Sequence, residues 1–209
     1  MTVNSQCEAL SSSSNSGSTG LAPSRSLLTA FTAAVLFLVL ATAPSPATAA
    51  LPPGFKDSVV ISGRTNPTSI NFAPDGRIFI TEKSGKIWLY QSLTDSSPTL
   101  FADLSGNVDD YWDRGLLGLA VPPGFPTDNH IYVLYTYDAP INGTSPVWSD
   151  ACPTPPGPTT DGCLVSGRLS QLSVSGNVST GEHVLINDWC QQFPSHSIGT
   201  LMSPTSIRL

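Results

Sequence analysis

Residues 69–92, SINFAPDGRIFITEKSGKIWLYQS, decide the fold class of this chain. Pro74-Asp75-Gly76 predicts a tight turn, because proline presets φ and glycine accepts a positive φ. Ser84-Gly85 predicts a second turn of the same kind. Between these turns Ile78 and Ile80 alternate with their neighbours, as the residues of a strand do. The stretch therefore predicts three antiparallel strands joined by two short turns.

The same kind of unit recurs along the chain. Residues 116–138 repeat the order of apolar strand, proline turn and a strand rich in Ile, Val and Tyr, and residues 196–209 begin as a third copy would. Further strands are predicted at 59–62, 168–176 and 182–188. Recurrent small sheets favour a β-propeller over a β-sandwich, although the irregular spacing of the units leaves both architectures open.

The composition limits the classes of function. The 209 residues are only 11% charged and carry a formal net charge of -6. Ordinary soluble domains are about 25% charged, so long solvated helices are not expected. An acidic chain without a basic run is also not expected to bind nucleic acid through its phosphates.

The first 50 residues have the pattern of a secretory leader. An uncharged apolar run at 27–43 follows Arg25 and is followed by small residues, which predicts cleavage near Ala49 or Ala50. The predicted organisation is a signal peptide or anchor at 1–50 and one domain at 51–209. An uncleaved membrane anchor and a transit peptide are the alternatives. The expected location is extracellular, with membrane contact only if the leader stays uncleaved.

Two kinds of covalent modification are expected of a secreted chain. Cys152 and Cys163 flank a short loop rich in Pro, Gly and Thr and are the expected disulfide pair, which makes Cys190 the odd cysteine of the mature chain. Asn142 and Asn177 each begin a glycosylation sequon in turn-like surroundings.

Several of these segments together resemble the glucose/sorbosone dehydrogenase family. The similarity extends over about residues 51–201, and the segments that carry it are LPPGF (51–55), FAPDGRIFITEKSGKIWLY (72–90), DRGLLGLAVPPGF (113–125), YVLYTYDAP (132–140), the 152–163 loop with SGRLSQL (166–172), and QQFPSHSIG (191–199). The resemblance implies a six-bladed propeller that oxidises a sugar at C1 with pyrroloquinoline quinone and calcium. It also covers hedgehog-interacting-protein-like propellers, which suggests the alternative of a non-catalytic extracellular module that binds a protein or a glycan.

The resemblance assigns roles to two residues. His196 lies in the H-x-x-G-x-L context of the family's general base, which takes the proton of the sugar's anomeric hydroxyl. Asp113 stands where the family commonly has Gln or Glu at the cofactor, and the shorter Asp side chain puts direct contact with the quinone in doubt. Thr200 replaces an Arg that is frequent in the family. No zinc-ligand spacing links the three histidines, so no metal site is expected from the residues themselves.

Other residues near these motifs have both a functional and a structural reading. Asp113 can be a site carboxylate or part of a solvated acidic loop, and Arg114 is expected to pair with Asp110 rather than with a substrate. The four tryptophans could stack on sugar rings, but packing in the core or between blades is preferred for Trp88, Trp112, Trp148 and Trp189.

The length of the domain limits what it can do alone. A blade takes about 40–50 residues, so residues 51–209 account for about two to three blades of the six-bladed family fold. The quinone and calcium contacts of the family belong to later blades. We therefore expect a truncated, all-β partial propeller that does not bind the cofactor and has little or no dehydrogenase activity by itself.

Overall fold

The computed structural model describes residues 51–152 and 163–203. The predicted leader, the interior of the Cys152–Cys163 loop and residues 204–209 lie outside this part of the chain. Residues 51–59 belong to a separate unit and are exposed, with one turn in which the Phe55 N–H donates to the Pro52 carbonyl. The unit that carries the sheets begins at Val60 within the described range.

The described part of this unit is all-β and contains eight strands and no helix. The strands are β1 (Pro67–Phe72), β2 (Ile78–Glu82), β3 (Lys86–Tyr90), β4 (Thr99–Asp103), β5 (Leu116–Ala120), β6 (His130–Tyr137), β7 (Val165–Ser175) and β8 (Val178–Gln191). They form two four-stranded antiparallel sheets in the orders β1-β2-β3-β4 and β5-β6-β7-β8. No helix of the described residues could cross a membrane.

Each sheet is an up-and-down meander in chain order, which is the form of a propeller blade. The predicted fold class, an all-β partial propeller of about two to three blades, is confirmed with two complete four-stranded sheets in the described residues. Pro74-Asp75-Gly76 joins β1 to β2 with Gly76 at φ +91°, and Gly85 at φ +102° lies in the turn between β2 and β3.

One apolar core fills the space between the two sheets. Alternate side chains of β2, β3 and β4 point into it, and β5, β6 and β7 supply the opposite side. Its buried members include Phe79, Ile87, Leu89 and Phe101 from the first sheet and Leu116, Leu119, Ile131, Val133, Tyr135 and Leu172 from the second. Phe79 contacts Phe101 edge-on, with the ring centroids 5.2 Å apart.

Two expectations about strands are wrong. Residues 59–62 form no strand, because strand propensity does not by itself supply a neighbouring strand to pair with. The outer strand of the first sheet, β4, was not expected. It pairs with β3 across an eight-residue connection, and its register shifts between Ile87 and Trp88.

The antiparallel order brings four connections to one end of the two sheets. These are the β2–β3 turn, the β4–β5 loop, the β6–β7 loop and the segment after β8. Direct hydrogen bonds join the sheets there, from the Leu116 N–H to the Lys83 carbonyl (2.8 Å) and from the Thr68 hydroxyl to the Leu116 carbonyl (2.6 Å). Asp113, His196 and the cysteines of the expected disulfide, Cys152 and Cys163, all lie in these connections.

Candidate active site

His196 lies in the segment after β8, which ends at Gln191. Its side chain is exposed, and its backbone has φ +55°, a left-handed conformation that is uncommon for a residue with a Cβ. The imidazole Nδ1 lies 2.8 Å from the Ser195 hydroxyl. This leaves Nε2, the outer nitrogen of the ring, with no hydrogen bond among those formed by the described residues.

Asp113 comes from the β4–β5 loop and contacts the same segment. Its Oδ2 accepts a hydrogen bond from the Ser195 hydroxyl (2.9 Å) and a longer one from the His196 N–H (3.3 Å), and its own N–H donates to the Pro194 carbonyl (3.3 Å). The Ser195 hydroxyl, followed by the His196 N–H, holds the pKa of the Asp113 carboxyl below its usual range. The structure thus brings together the two residues that the motifs singled out.

Arg114 holds the β4–β5 loop in place from the interior of the protein. Its guanidinium is fully buried and pairs with the buried carboxylate of Asp109 at 2.8 Å. It also donates to the Cys163 carbonyl (2.6 Å), to the Gln192 carbonyl (2.9 Å) and to the Cys163 sulfur (2.7 Å). One side chain therefore ties the β4–β5 loop to the disulfide and to the segment that carries His196.

The expected partner of Arg114 is wrong. The guanidinium pairs with Asp109, because both side chains point into the interior, whereas Asp110 is turned toward Lys83 and accepts hydrogen bonds from its ammonium group. Burial, partly offset by the Tyr111 N–H and by Arg114, raises the pKa of the Asp109 carboxyl. This pair is thus a structural ion pair and not a substrate contact.

Trp112 lies beside Asp113 with an unusual backbone. Its φ is +53°, which costs a bulky residue about 1–3 kcal/mol and is found mainly at functional sites. The indole is 53% exposed and stacks on Tyr111, with ring centroids 5.7 Å apart and planes 12° apart. The expectation of packing in the core is therefore wrong for Trp112, and also for Trp189, which is 42% exposed near the end of β8, whereas packing between blades stays a prediction for both.

The remaining tryptophans have structural contacts. Trp88 carries the Arg64 guanidinium 4.0 Å from the centre of its ring. Trp148 donates from its indole N–H to the Leu164 carbonyl at 3.0 Å. Neither side chain takes part in the arrangement around His196.

The expected disulfide is present. Cys152 and Cys163 are joined and close the loop between β6 and β7. Cys190 is not a free thiol either, so the expectation of an odd cysteine is wrong. The two sequon asparagines belong to surface connections, Asn142 in the β6–β7 loop at φ +66° and Asn177 in the two-residue turn between β7 and β8.

The cations near His196 do not match pyrroloquinoline quinone, which carries three carboxylates. Lys83 pairs with Asp110, Arg114 with Asp109, and Lys86 stands opposite Asp103 in the sheet. These three cations thus already have a carboxylate beside them, and Arg168, near the start of β7, donates to Asn187 Oδ1 and lies over the Tyr137 ring. These residues do not fit the quinone by themselves. No group of three or more described His, Cys, Asp or Glu side chains could hold a metal ion.

Ser195 is the site residue that sequence reasoning missed. The signal was its place directly before a candidate base, in Pro194-Ser195-His196. A hydroxyl there can reach the neighbouring imidazole, but a role for it depends on Asp113, which is 82 positions away in the sequence.

Comparisons with known proteins agree with the motif analysis. Residues 64–148 match the family model "Glucose / Sorbosone dehydrogenase". No curated protein sequence matches the chain. Among solved structures, an oxidoreductase of Thermus thermophilus described as a glucose dehydrogenase shares 23% identity at a TM-score of 0.51, over 68% of this chain and 35% of its own. This likeness shows the fold.

Two further structures are similar at lower scores. The PQQ-bound aldose sugar dehydrogenase of Streptomyces coelicolor is 15% identical over 62% of this chain and 32% of its own, with a TM-score of 0.43. The apo soluble aldose sugar dehydrogenase of Escherichia coli is 18% identical over 59% and 30%, with a TM-score of 0.41. The chain spans about a third of the length of the structures it matches. The resemblance that the sequence motifs carry is confirmed, since residues 64–148 match the model of the glucose/sorbosone dehydrogenase family.

Proposed function

We propose that this chain is the N-terminal part of a secreted, quinone-dependent dehydrogenase that oxidises an aldose at C1. The observation that carries the proposal is the convergence of His196 and Asp113, 83 positions apart, at one end of two blades of which residues 64–148 match the family model. An exposed imidazole suits a general base, because the usual pKa of histidine lies near neutrality.

The described residues account for the proton transfer of the oxidation but not for the hydride transfer. Oxidising a sugar at C1 removes a proton from the hydroxyl and a hydride from the carbon. His196 would take the proton on Nε2, the ring nitrogen without a hydrogen bond within the described part of the chain. The described residues provide no group that accepts the hydride, and the cations beside them are already paired. The hydride acceptor and calcium therefore belong to parts of the site that these residues do not form.

Trp112 would bind the sugar next to the base. Sugar rings present apolar C–H faces, and an exposed indole is a suitable stacking platform for them. The stacking of Trp112 on Tyr111 orients the indole, and the strained backbone next to Asp113 holds it on the surface instead of in the core.

The test is dye-coupled oxidation of aldoses with added quinone and calcium, on this chain and on any longer product of the same gene. We expect little or no turnover by the 209-residue chain. A longer product should reduce the dye, and His196→Ala should lower this rate about 10²–10⁴-fold, the usual contribution of a general base. His183→Ala is the matched control, since His183 is an exposed histidine of β8 outside the motif.

A second function is favoured by the pairing of Lys83 and Arg114 with carboxylates of the protein itself. A non-catalytic extracellular propeller, related to the hedgehog-interacting branch, would use the same end of the sheets to bind a protein or a glycan and would need no quinone clamp. Dye reduction by a longer product argues against this reading. Its absence with every aldose, despite retained glycan or protein binding, would support it.

A further inference from the structure

We infer that Ser195 and Asp113 are positioning residues that fix the neutral His196 imidazole with its proton on Nδ1 and its lone pair on Nε2. The inference deepens the proposed function and rests on it for its catalytic meaning, because a general base needs its lone pair on the nitrogen that faces the substrate. It concerns a property of the chain itself that can be measured without sugar or cofactor.

The direction of the hydrogen bonds follows from counting protons. Ser195 has one hydroxyl proton and two neighbours, Asp113 Oδ2 at 2.9 Å and His196 Nδ1 at 2.8 Å. An ionised carboxylate only accepts, so the hydroxyl must donate to Asp113. The Ser195 oxygen can then only accept from His196, and the proton between them has to be on Nδ1. The reverse arrangement would leave two oxygens 2.9 Å apart with no proton between them.

Backbone contacts hold the three residues in this arrangement. The His196 N–H donates to the same Oδ2 atom, and the Asp113 N–H donates to the Pro194 carbonyl, so the two segments are joined on both sides of Ser195. Pro194 is buried, which fixes the start of the segment. The left-handed φ of +55° at His196 is stabilised by these contacts.

The other described polar groups near His196 form their hydrogen bonds with partners other than its imidazole. The Ser197 hydroxyl donates to Gln191 Oε1 at 2.6 Å and lies 3.1 Å from the Thr136 hydroxyl. Lys83 is bonded to Asp110. Ser195 is thus the described side chain that sets which ring nitrogen is protonated, in the way that a bond to one nitrogen of a histidine generally decides the state of the other.

The test is the tautomer of His196, read from the ¹⁵N shifts of the two ring nitrogens in the ¹⁵N-labelled full chain. At about pH 8.5, two units above the usual histidine pKa of about 6.5, the Nδ1–H form should dominate. Ser195→Ala and Asp113→Ala should each lose this preference, because the first removes the acceptor for Nδ1–H and the second frees the hydroxyl to donate to Nδ1. Ser195→Thr keeps a hydroxyl and should retain the wild-type pattern.

Controls separate this effect from a general change in structure. Ser197→Ala removes a neighbouring hydroxyl that does not bond to the ring and should leave the tautomer unchanged. His130 and His183 report in the same spectrum and should not move in any variant. A wild-type His196 with its proton on Nε2, or an Asp113→Ala variant that retains the Nδ1–H form, would overturn the inference. A failed dye assay would not affect this result, so the two proposals can be judged separately.

Discussion

At the scale of single residues, the buried Arg114 guanidinium makes the most consequential contacts of the site. Arg114→Met leaves the Asp109 carboxylate buried without its cation and deprives three backbone carbonyls of a donor, including those of Cys163 and Gln192. Removing one partner of a buried pair costs about 3–5 kcal/mol. We expect urea unfolding, followed by tryptophan fluorescence, to show a loss of that size in the free energy of unfolding.

The double variant Asp109→Leu/Arg114→Met tests the cause. It removes both charges, so the penalty of an isolated carboxylate disappears, and the lost hydrogen bonds to the carbonyls and the lost acceptor of the Tyr111 N–H remain. We expect the double variant to be more stable than Arg114→Met alone. Equal stability of the two would mean that the carbonyl contacts, and not the ion pair, dominate the effect of Arg114.

The Asp113 carboxyl should titrate below an ordinary aspartate. Its hydrogen bonds to the Ser195 hydroxyl and the His196 N–H favour the charged form and lower its pKa. Because the folded pKa is below the unfolded value of about 3.9, the stabilisation is present above that pH and is lost as the pH falls through the folded pKa. A carboxyl ¹³C titration should show the lowered pKa, and Ser195→Ala should raise it. An unchanged pKa in that variant would contradict the assignment of its cause.

The motifs identified His196 and Asp113 but not how they are connected. The local sequence shows which residue types are present. The hydrogen bond between His196 and Asp113, however, exists only because the two sheets place their connections at one end. The partner of Arg114 was missed for a related reason. Asp109 and Asp110 are adjacent residues of the same type, so the sequence does not distinguish them. In the structure Asp109 is buried beside Arg114, whereas Asp110 pairs with Lys83.

At the scale of elements, Gly115 controls how closely β5 approaches the β2–β3 turn. Its φ is +141°, and an added Cβ would lie 2.6 Å from Lys83 Cγ and 2.7 Å from the Lys83 carbonyl oxygen. The Leu116 N–H also donates to that carbonyl, so the backbone cannot simply move away. We expect Gly115→Ala to destabilise the fold by about 1–3 kcal/mol, as overpacking does, in a thermal melt.

Gly181 provides the matched control for this substitution. It is an exposed glycine of β8 that has no neighbouring atom within 4 Å of an added Cβ. Gly181→Ala should leave the melting temperature almost unchanged. A melting temperature of Gly115→Ala equal to that of Gly181→Ala would show that the sheets can separate at this point without cost.

Strands with local turns were predictable, and those with distant partners were not. Two short turns in the sequence predict the β1–β3 meander, and the alternation of apolar residues over 130–137 predicts β6. In contrast, β4 depends on pairing with β3 after a longer connection, and residues 59–62 have the composition of a strand but no partner in the described chain. Strand propensity describes how a residue fits a sheet and does not supply the neighbouring strand.

At the scale of the whole molecule, the two blades share one core, so they should unfold together. Phe79 from the first sheet and residues such as Leu119 and Val133 from the second belong to the same buried cluster. Neither sheet can separate without exposing the apolar face of the other. The Cys152–Cys163 bridge and Arg114 add a second connection at the end that carries His196.

Passage through the secretory pathway is the remaining prediction for the whole molecule. Expressed in eukaryotic cells, the chain should appear in the medium with a new N-terminus at residue 50 or 51 and with glycans on Asn142 and Asn177, which both lie in surface connections. Enzymatic removal of N-glycans should lower the mass in two steps, and Asn142→Gln and Asn177→Gln should each abolish one of them. A chain that stays with the membrane at full length would instead indicate the uncleaved anchor, and a chain without glycans inside an organelle would indicate the transit peptide.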